Sequence, residues 1–449
     1  MDLVRTLALL SLATPALAGT LTVGPTGSGA AYDDIADAIA AALPGDTILI
    51  EPGAYVDATP LVVDKPLTIL GSGSAVTSFE AVAAFPFDQP LPLLVRDLGP
   101  GDEVRIAGLS LASHALGGFV ASSVVVVDCD GPVVLADVAS TGPAPGFQTP
   151  GLAQVRNSGQ VLLDRCRFDA QGGTDQTTPA LYLENAVVHL NDSELLGGDA
   201  GLGLSAAPPA EGAPALVAVA STVRLSRSDL RGGDGTASSP FTPTVAATDG
   251  GPAVLATGST VIARGGTGSQ LIGGTGGFLL TGGTPLVGLG GHAVEYDAGS
   301  LLAMSLGAQL LPGLDGDGGL TQLSIGGAGS WFLVSTPLAT LGVDASLVAP
   351  GGVVNLELIG ESNGVALTWF ALTQDPALVV PGIHGEILLS IAGAVPLTTQ
   401  ALDLVGHATL PVPIPAVPAL VGTTALVQSF MTGPSGEASC SAPVFVGVR

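Results

Sequence analysis

Pro179-Ala-Leu-Tyr-Leu-Glu-Asn185, Ala186-Val-Val-His-Leu190 and Asp192-Ser-Glu-Leu-Leu-Gly-Gly198 are followed by a spacer. Then come Pro214-Ala-Leu-Val-Ala-Val-Ala220, Ser221-Thr-Val-Arg-Leu225 and Arg227-Ser-Asp-Leu-Arg-Gly-Gly233. The two triplets repeat one pattern: three short runs and a glycine corner. Within a run the apolar residues alternate. Val188 and Leu190 face one way and His189 the other, and Val223, Leu225 and Arg224 match them. A period of two is a strand with one buried face. Three such strands recurring in fixed order describe a coil that stacks on its neighbours.

The pattern extends in both directions. Upstream it includes Val104-Arg-Ile106, Val133-Val-Leu135 and Val161-Leu-Leu163; downstream, Pro252-Ala-Val-Leu-Ala256 and His292-Ala-Val-Glu-Tyr296. The repeat length varies over roughly 27 to 40 residues, inside the solenoid range. The extra length falls after the Gly-Gly pairs, at 199–213, 234–251 and 275–291, and its Gly, Pro, Ser and Thr content reads as loops. The expected fold is all-β, a parallel β-helix with three strands per coil. Leu163, Leu190 and Leu225 are expected to form one buried column.

Composition supports this and narrows function. Only 11% of the 449 residues are charged and 47% are hydrophobic, with Lys65 the single lysine. The net charge of −26 argues against nucleic acid, which needs clustered basic residues, and against a broad polyanion surface. Aromatics are 4% of the chain, few for sugar-stacking platforms. No stretch after the N-terminus approaches the ~20 apolar residues of a membrane span. Residues 1–18 read as a secretory signal: Arg5, an apolar run, then Ala16-Leu17-Ala18. Secretion or cell-surface placement is the expectation.

Ile35, Ile39 and Leu43 fall at helical spacing and predict a short helix over the first coil. Asp33-Asp34 stands at its start as capping carboxylates. A strand 47–50 and the strand Pro66-Leu-Thr-Ile-Leu-Gly71 follow. In 32–71, with the coils of 104–310, the chain resembles the pectin-lyase-like right-handed β-helix superfamily. The resemblance implies a right-handed coil and a helical cap. It is specific for fold and weak for function, because non-catalytic members share these segments, and the catalytic signatures of pectin methylesterases and polygalacturonases are absent. From Ala345 the texture changes to strands divided by Pro and Gly, which predicts a β-sandwich-like domain. That region is similar to C-terminal domains of secreted planctomycete-type proteins. The expected division is a signal at 1–18, the β-helix with its cap at 19–343, and the C-terminal domain at 344–449.

Candidate chemistry is sparse. Alignment of the copies sets Arg165 beside Asp192 and Arg227, and Arg167 beside Glu194 and Asp229. The plain reading is a ladder of surface ion pairs. The sharper reading is a groove in which His189, as base, stands beside Arg224 on the outward face and acts on a uronate α-proton. Asp234, Asp315 and Asp317 lie in Asp-Gly fragments like those of calcium loops. Calcium takes six to eight oxygens, so plain turns are the simpler reading. Cys129, Cys166 and Cys440 are an odd set; Cys166 aligns with Ser193 and Ser228 as a small core residue. Two functions fit: an exported non-catalytic surface, adhesion or structural protein, or a polysaccharide lyase or glycoside hydrolase. The expected partner is an extracellular glycan or cell-surface component. No cofactor is called for unless calcium binds.

Overall fold

The computed structural model describes residues 18–82, 91–114, 122–142, 150–172, 177–200, 211–236, 247–264, 269–281, 284–305, 307–334, 338–381 and 383–449. The expected secretory signal lies almost wholly outside these residues.

Thr20–Val334 winds as a right-handed parallel β-helix with three sheets. The first sheet runs through Val161–Asp164, Val187–Asn191, Thr222–Ser226 and Thr260–Arg264. The second includes Arg167–Ala170, Glu194–Leu196 and Asp229–Arg231, and the third Ala153–Arg156, Leu181–Glu184 and Leu216–Val219. Leu163, Leu190 and Leu225 pair in direct register and are buried, the column that the alternation requires. Each such leucine contributes about 1.5–3 kcal/mol by burial.

The corner between the first and second sheets places Asp137, Arg165, Asp192 and Arg227 at φ of 49°, 52°, 47° and 54°. A non-glycine residue there costs roughly 1–2 kcal/mol. The turn is offset by an inward ladder immediately after it. Cys166 N donates to Ser193 Oγ at 3.1 Å, and Ser193 N to Ser228 Oγ at 3.2 Å. The preceding corner repeats the device: Ala186 N to Ser221 Oγ (3.1 Å), Ser221 N to Ser259 Oγ (3.0 Å) and Ser259 N to Ser300 Oγ (3.1 Å). Cys166 is therefore a rung of this ladder, as its alignment with serines implied. All three cysteines are buried and unpaired.

The helix Ile35–Ala41 packs on Thr20–Val23, Thr47–Ile50 and Leu61–Val63. Asp34 caps it, accepting from Ala36 N at 2.6 Å and Asp37 N at 3.2 Å. Ile35 and Ile39 are buried, but Leu43 is 67% exposed. The helix ends at Ala41, so Leu43 lies beyond it and helical spacing does not govern its direction.

The expected loops are ordered in a different way where they are described. Gly232 N and Gly235 N donate to Ile272 O and Thr275 O of the next coil, and Gly273 N and Gly276 N to Leu311 O and Leu314 O. Gly274 N and Gly277 N instead bond across to Gly251 O and Thr248 O. The bonds repeat every three residues, the period of a polyproline-II helix. Outgoing and returning legs form a zigzag: Gly233 N to Ala213 O, Gly251 N to Gly233 O, Gly274 N to Gly251 O and Gly291 N to Gly274 O, all at 2.7–2.8 Å. A Cβ on Gly274 would fall 1.9 Å from Gly233 O, which is why these positions are glycine.

The last coil strand is Ser330–Val334. Thr340–Val343, expected inside the β-helix, pairs antiparallel with Val353–Ile359, because its hydrogen-bond partners lie in the C-terminal half. There His407–Pro413 completes one sheet, and Thr424–Thr432, Val365–Ala371, Val395–Ala401 and Val444–Val448 build a second. Leu341, Leu356, Leu358, Val427 and Val444 fill the core between them.

Candidate functional site at the junction of the two halves

The outward row of the first sheet reads, coil by coil, Arg105, Val134, Leu162, His189, Arg224 and Ile262. A second outward row two residues on reads Ala107, Ala136, Asp164, Asn191, Ser226 and Arg264. The expected direction of His189 and Arg224 is right, but His189 is buried and Arg224 is largely covered. The C-terminal half covers this face. Leu162, Val134 and Ala136 pack with Ala371, Leu389, Leu426 and Phe445 in one buried cluster.

Polar ties surround that cluster. Arg105 Nη1 donates to Thr424 O at 3.2 Å, and Gln160 Nε2 to Asp375 O at 3.0 Å. Phe445 N donates to Asp164 Oδ2 at 3.1 Å. Arg165 Nη1 reaches Val343 O at 3.1 Å, and Arg449 Nη1 reaches back to Leu70 O at 2.6 Å. Arg227 joins Asp192 Oδ1 (2.7 Å) to Glu357 Oε2 (2.5 Å), and His407 Nε2 stands 2.9 Å from the other Glu357 oxygen.

At the centre are His189, Arg224, Arg264 and Glu386. The Arg224 Nη2 group bonds Glu386 Oε1, and Arg264 Nη1 donates to Cys440 O at 2.6 Å. His189 Nε2 is 3.6 Å from Glu386 Oε2, too far for a hydrogen bond. Burial pushes the His189 pKa well below its usual 6.5, and Arg224 and Arg264 push it further. The imidazole is neutral, so its nearness to Glu386 is no ion pair. Burial also lowers the Arg264 guanidinium to about 10, with Arg224 adding to the shift. Asp164 is raised to about 6 by burial, against the pull of Arg165 and of the Asn191 amide.

The arrangement is a latch. His189 is 3% exposed, and a base must come within about 2.6–3.2 Å of the proton it removes. The groove on this face is therefore replaced by a contact between the two halves. Glu386, Arg264 and Asp164 escaped the sequence reading. The signal for them was Val133-Val-Leu135 and Val161-Leu-Leu163, apolar on both faces, as a doubly covered strand requires.

The ion-pair ladder divides. Arg167 Nη1 meets Glu194 Oε2 at 2.9 Å in the open, whereas Arg227 and Asp192 are mostly covered at the junction. The calcium candidates serve backbone amides. Asp234 Oδ1 accepts from Thr275 N at 2.7 Å, Asp315 Oδ1 from Gly290 N at 2.9 Å and Asp317 Oδ1 from Gly319 N at 3.0 Å. Asp234 also pairs with Arg231 at 3.0 Å. Hydrogen bonds from the Thr321 hydroxyl and the Gly290 amide hold the Asp315 pKa below its ordinary value. Among the described residues, no three His, Cys, Asp or Glu side chains converge as a metal site.

No family model and no curated protein matches this chain. Solved structures similar to it include the enzymatically active domain of bacteriophage CBA120 tailspike protein 2, at 9% identity and a TM-score of 0.34 over 89% of this chain and 72% of that one. Pectate lyase Pel9A gives 13% identity and a TM-score of 0.33 over 65% and 77%. The A-module of the mannuronan C-5 epimerase AlgE4 of Azotobacter vinelandii gives 12% and 0.21 over 67% and 92%.

Proposed function

We propose that this chain is an exported, non-catalytic β-helix protein that acts as a structural or adhesive element at a cell surface, toward an extracellular glycan or surface component. One observation carries the reading. The His189–Arg224–Glu386 cluster, the arrangement nearest to base-plus-cation chemistry, lies under the C-terminal half, with His189 buried and Arg224 paired to Glu386. Lyase chemistry needs a base that reaches substrate and a cation that neutralises the carboxylate. Here the base is buried and the cation is already paired.

The test is direct. The purified chain, with and without calcium, is expected to release neither unsaturated uronate nor new reducing ends from acidic or neutral polysaccharides, while a glycan array returns binding to specific glycans. Turnover would establish the alternative, a lyase or glycoside hydrolase. Turnover lost in His189→Ala would place the reaction at the junction and overturn the latch.

A further inference from the structure

The two ends of the coil stack are finished differently. At the first, the helix Ile35–Ala41 lies over the opening strands. At the other, Gln309–Leu311, Ile325–Gly327 and Ser330–Val334 are the last strands of their sheets, and no described strand pairs with their outer edges. Trp331 holds the register of buried Leu302, so its position belongs to the coil interior. Yet Trp331 is 59% exposed and Leu333 53%, because no further coil covers them. Leu314, Leu320 and Leu323 stand exposed on the same final coil.

We propose that this open end is an interface, and that its occupant is the same end of a second copy of this chain. Three features select that partner. The end presents unpaired strand edges, which another set of strand edges satisfies. It is apolar with an aromatic, the composition of an interface core. It is also nearly uncharged: residues 298–343 hold only Asp315 and Asp317, in a chain of net charge −26. A cationic partner would find no acidic patch there. Two acidic copies, in contrast, can meet at this end without setting like charges opposite one another. The contact pairs each end with itself across a two-fold axis. It closes at two copies, because the opposite end is covered by its helix.

Sedimentation velocity and light scattering on the full chain at about 50 µM, far above a micromolar Kd, read the outcome. The expected species is a dimer. Trp331→Asp with Leu333→Asp is expected to yield a monomer with unchanged far-ultraviolet circular dichroism. Leu323→Glu alters a residue 73% exposed and guards against misfolding; it is expected to weaken the dimer at least tenfold. A wild-type monomer at this concentration, whether or not it binds lipid vesicles, overturns the proposal. So does a dimer indifferent to these changes, or growth into longer assemblies.

Discussion

Asp164 sits fully inside the junction, and its raised pKa has a consequence for stability. In the unfolded chain its carboxyl loses its proton near the ordinary 3.8; in the folded chain it holds on to about 6. Between those values the folded state binds the extra proton, so stability falls as pH rises through the window and stays lower above it. Asp164→Asn removes that loss. The amide keeps one acceptor oxygen for two donors, Phe445 N and the Asn191 amide, so the expected signature is the pH trend: in a melting series the difference from wild type moves in the variant's favour from about pH 4 to about pH 7.5. His189 works in the opposite direction. Its folded pKa lies well below 6.5, so its contribution is full above 6.5 and declines as pH falls below it. The facing of His189 was legible in the strand alternation, whereas Asp164 was not singled out. The burial of both was not legible, because a period of two says which side a residue takes and nothing of what lies against that side.

Among the elements, the glycine-rich legs carry the sharpest stability prediction. Gly274→Ala places a Cβ 1.9 Å from Gly233 O, a backbone atom that cannot swing aside. A loss of about 1–3 kcal/mol or more is expected in denaturant titration. Gly299→Ala is the control, since its Cβ would meet nothing closer than 3.5 Å, and its midpoint is expected to stay near wild type. The coil strands were plain in the sequence because leucine and valine mark their inner faces, as at Leu163, Leu190 and Leu225. The legs were read as loops because a three-residue hydrogen-bond repeat built on glycine has no side chains with which to announce itself. Leu43 shows the same limit at the cap. Helical spacing from Ile35 and Ile39 was extended one step past the point where the helix stops.

At the scale of the whole molecule, the two halves share one set of polar ties, and Arg227 is among the most connected. Arg227→Ala removes the cation that joins Asp192 to Glu357, leaving Glu357 only His407, and a loss of about 1–3 kcal/mol is expected. A double-mutant cycle with Glu357→Gln is expected to show a coupling above about 0.5 kcal/mol. Arg167→Ala, which opens the exposed pair with Glu194, is expected to cost at most about 1 kcal/mol. Equal effects at Arg167 and Arg227 would mean that the partial burial of the Arg227 pairs adds nothing to their strength. The parallel β-helix of the first half could be read from the chain. The attachment of the two halves could not, since Arg105 and Thr424 are 319 positions apart and only the fold sets them in contact.

The glycine-rich legs also alter where this molecule should be slow to exchange its amide hydrogens. Segments with neither strand nor helix ordinarily exchange fast, since water reaches their backbone. Here Gly233, Gly251, Gly274 and Gly291 donate to carbonyls inside a packed slab of peptide. In deuterium oxide these glycines would retain their protons alongside the leucine strands, and the slow-exchanging part of the protein would be larger than its β-structure.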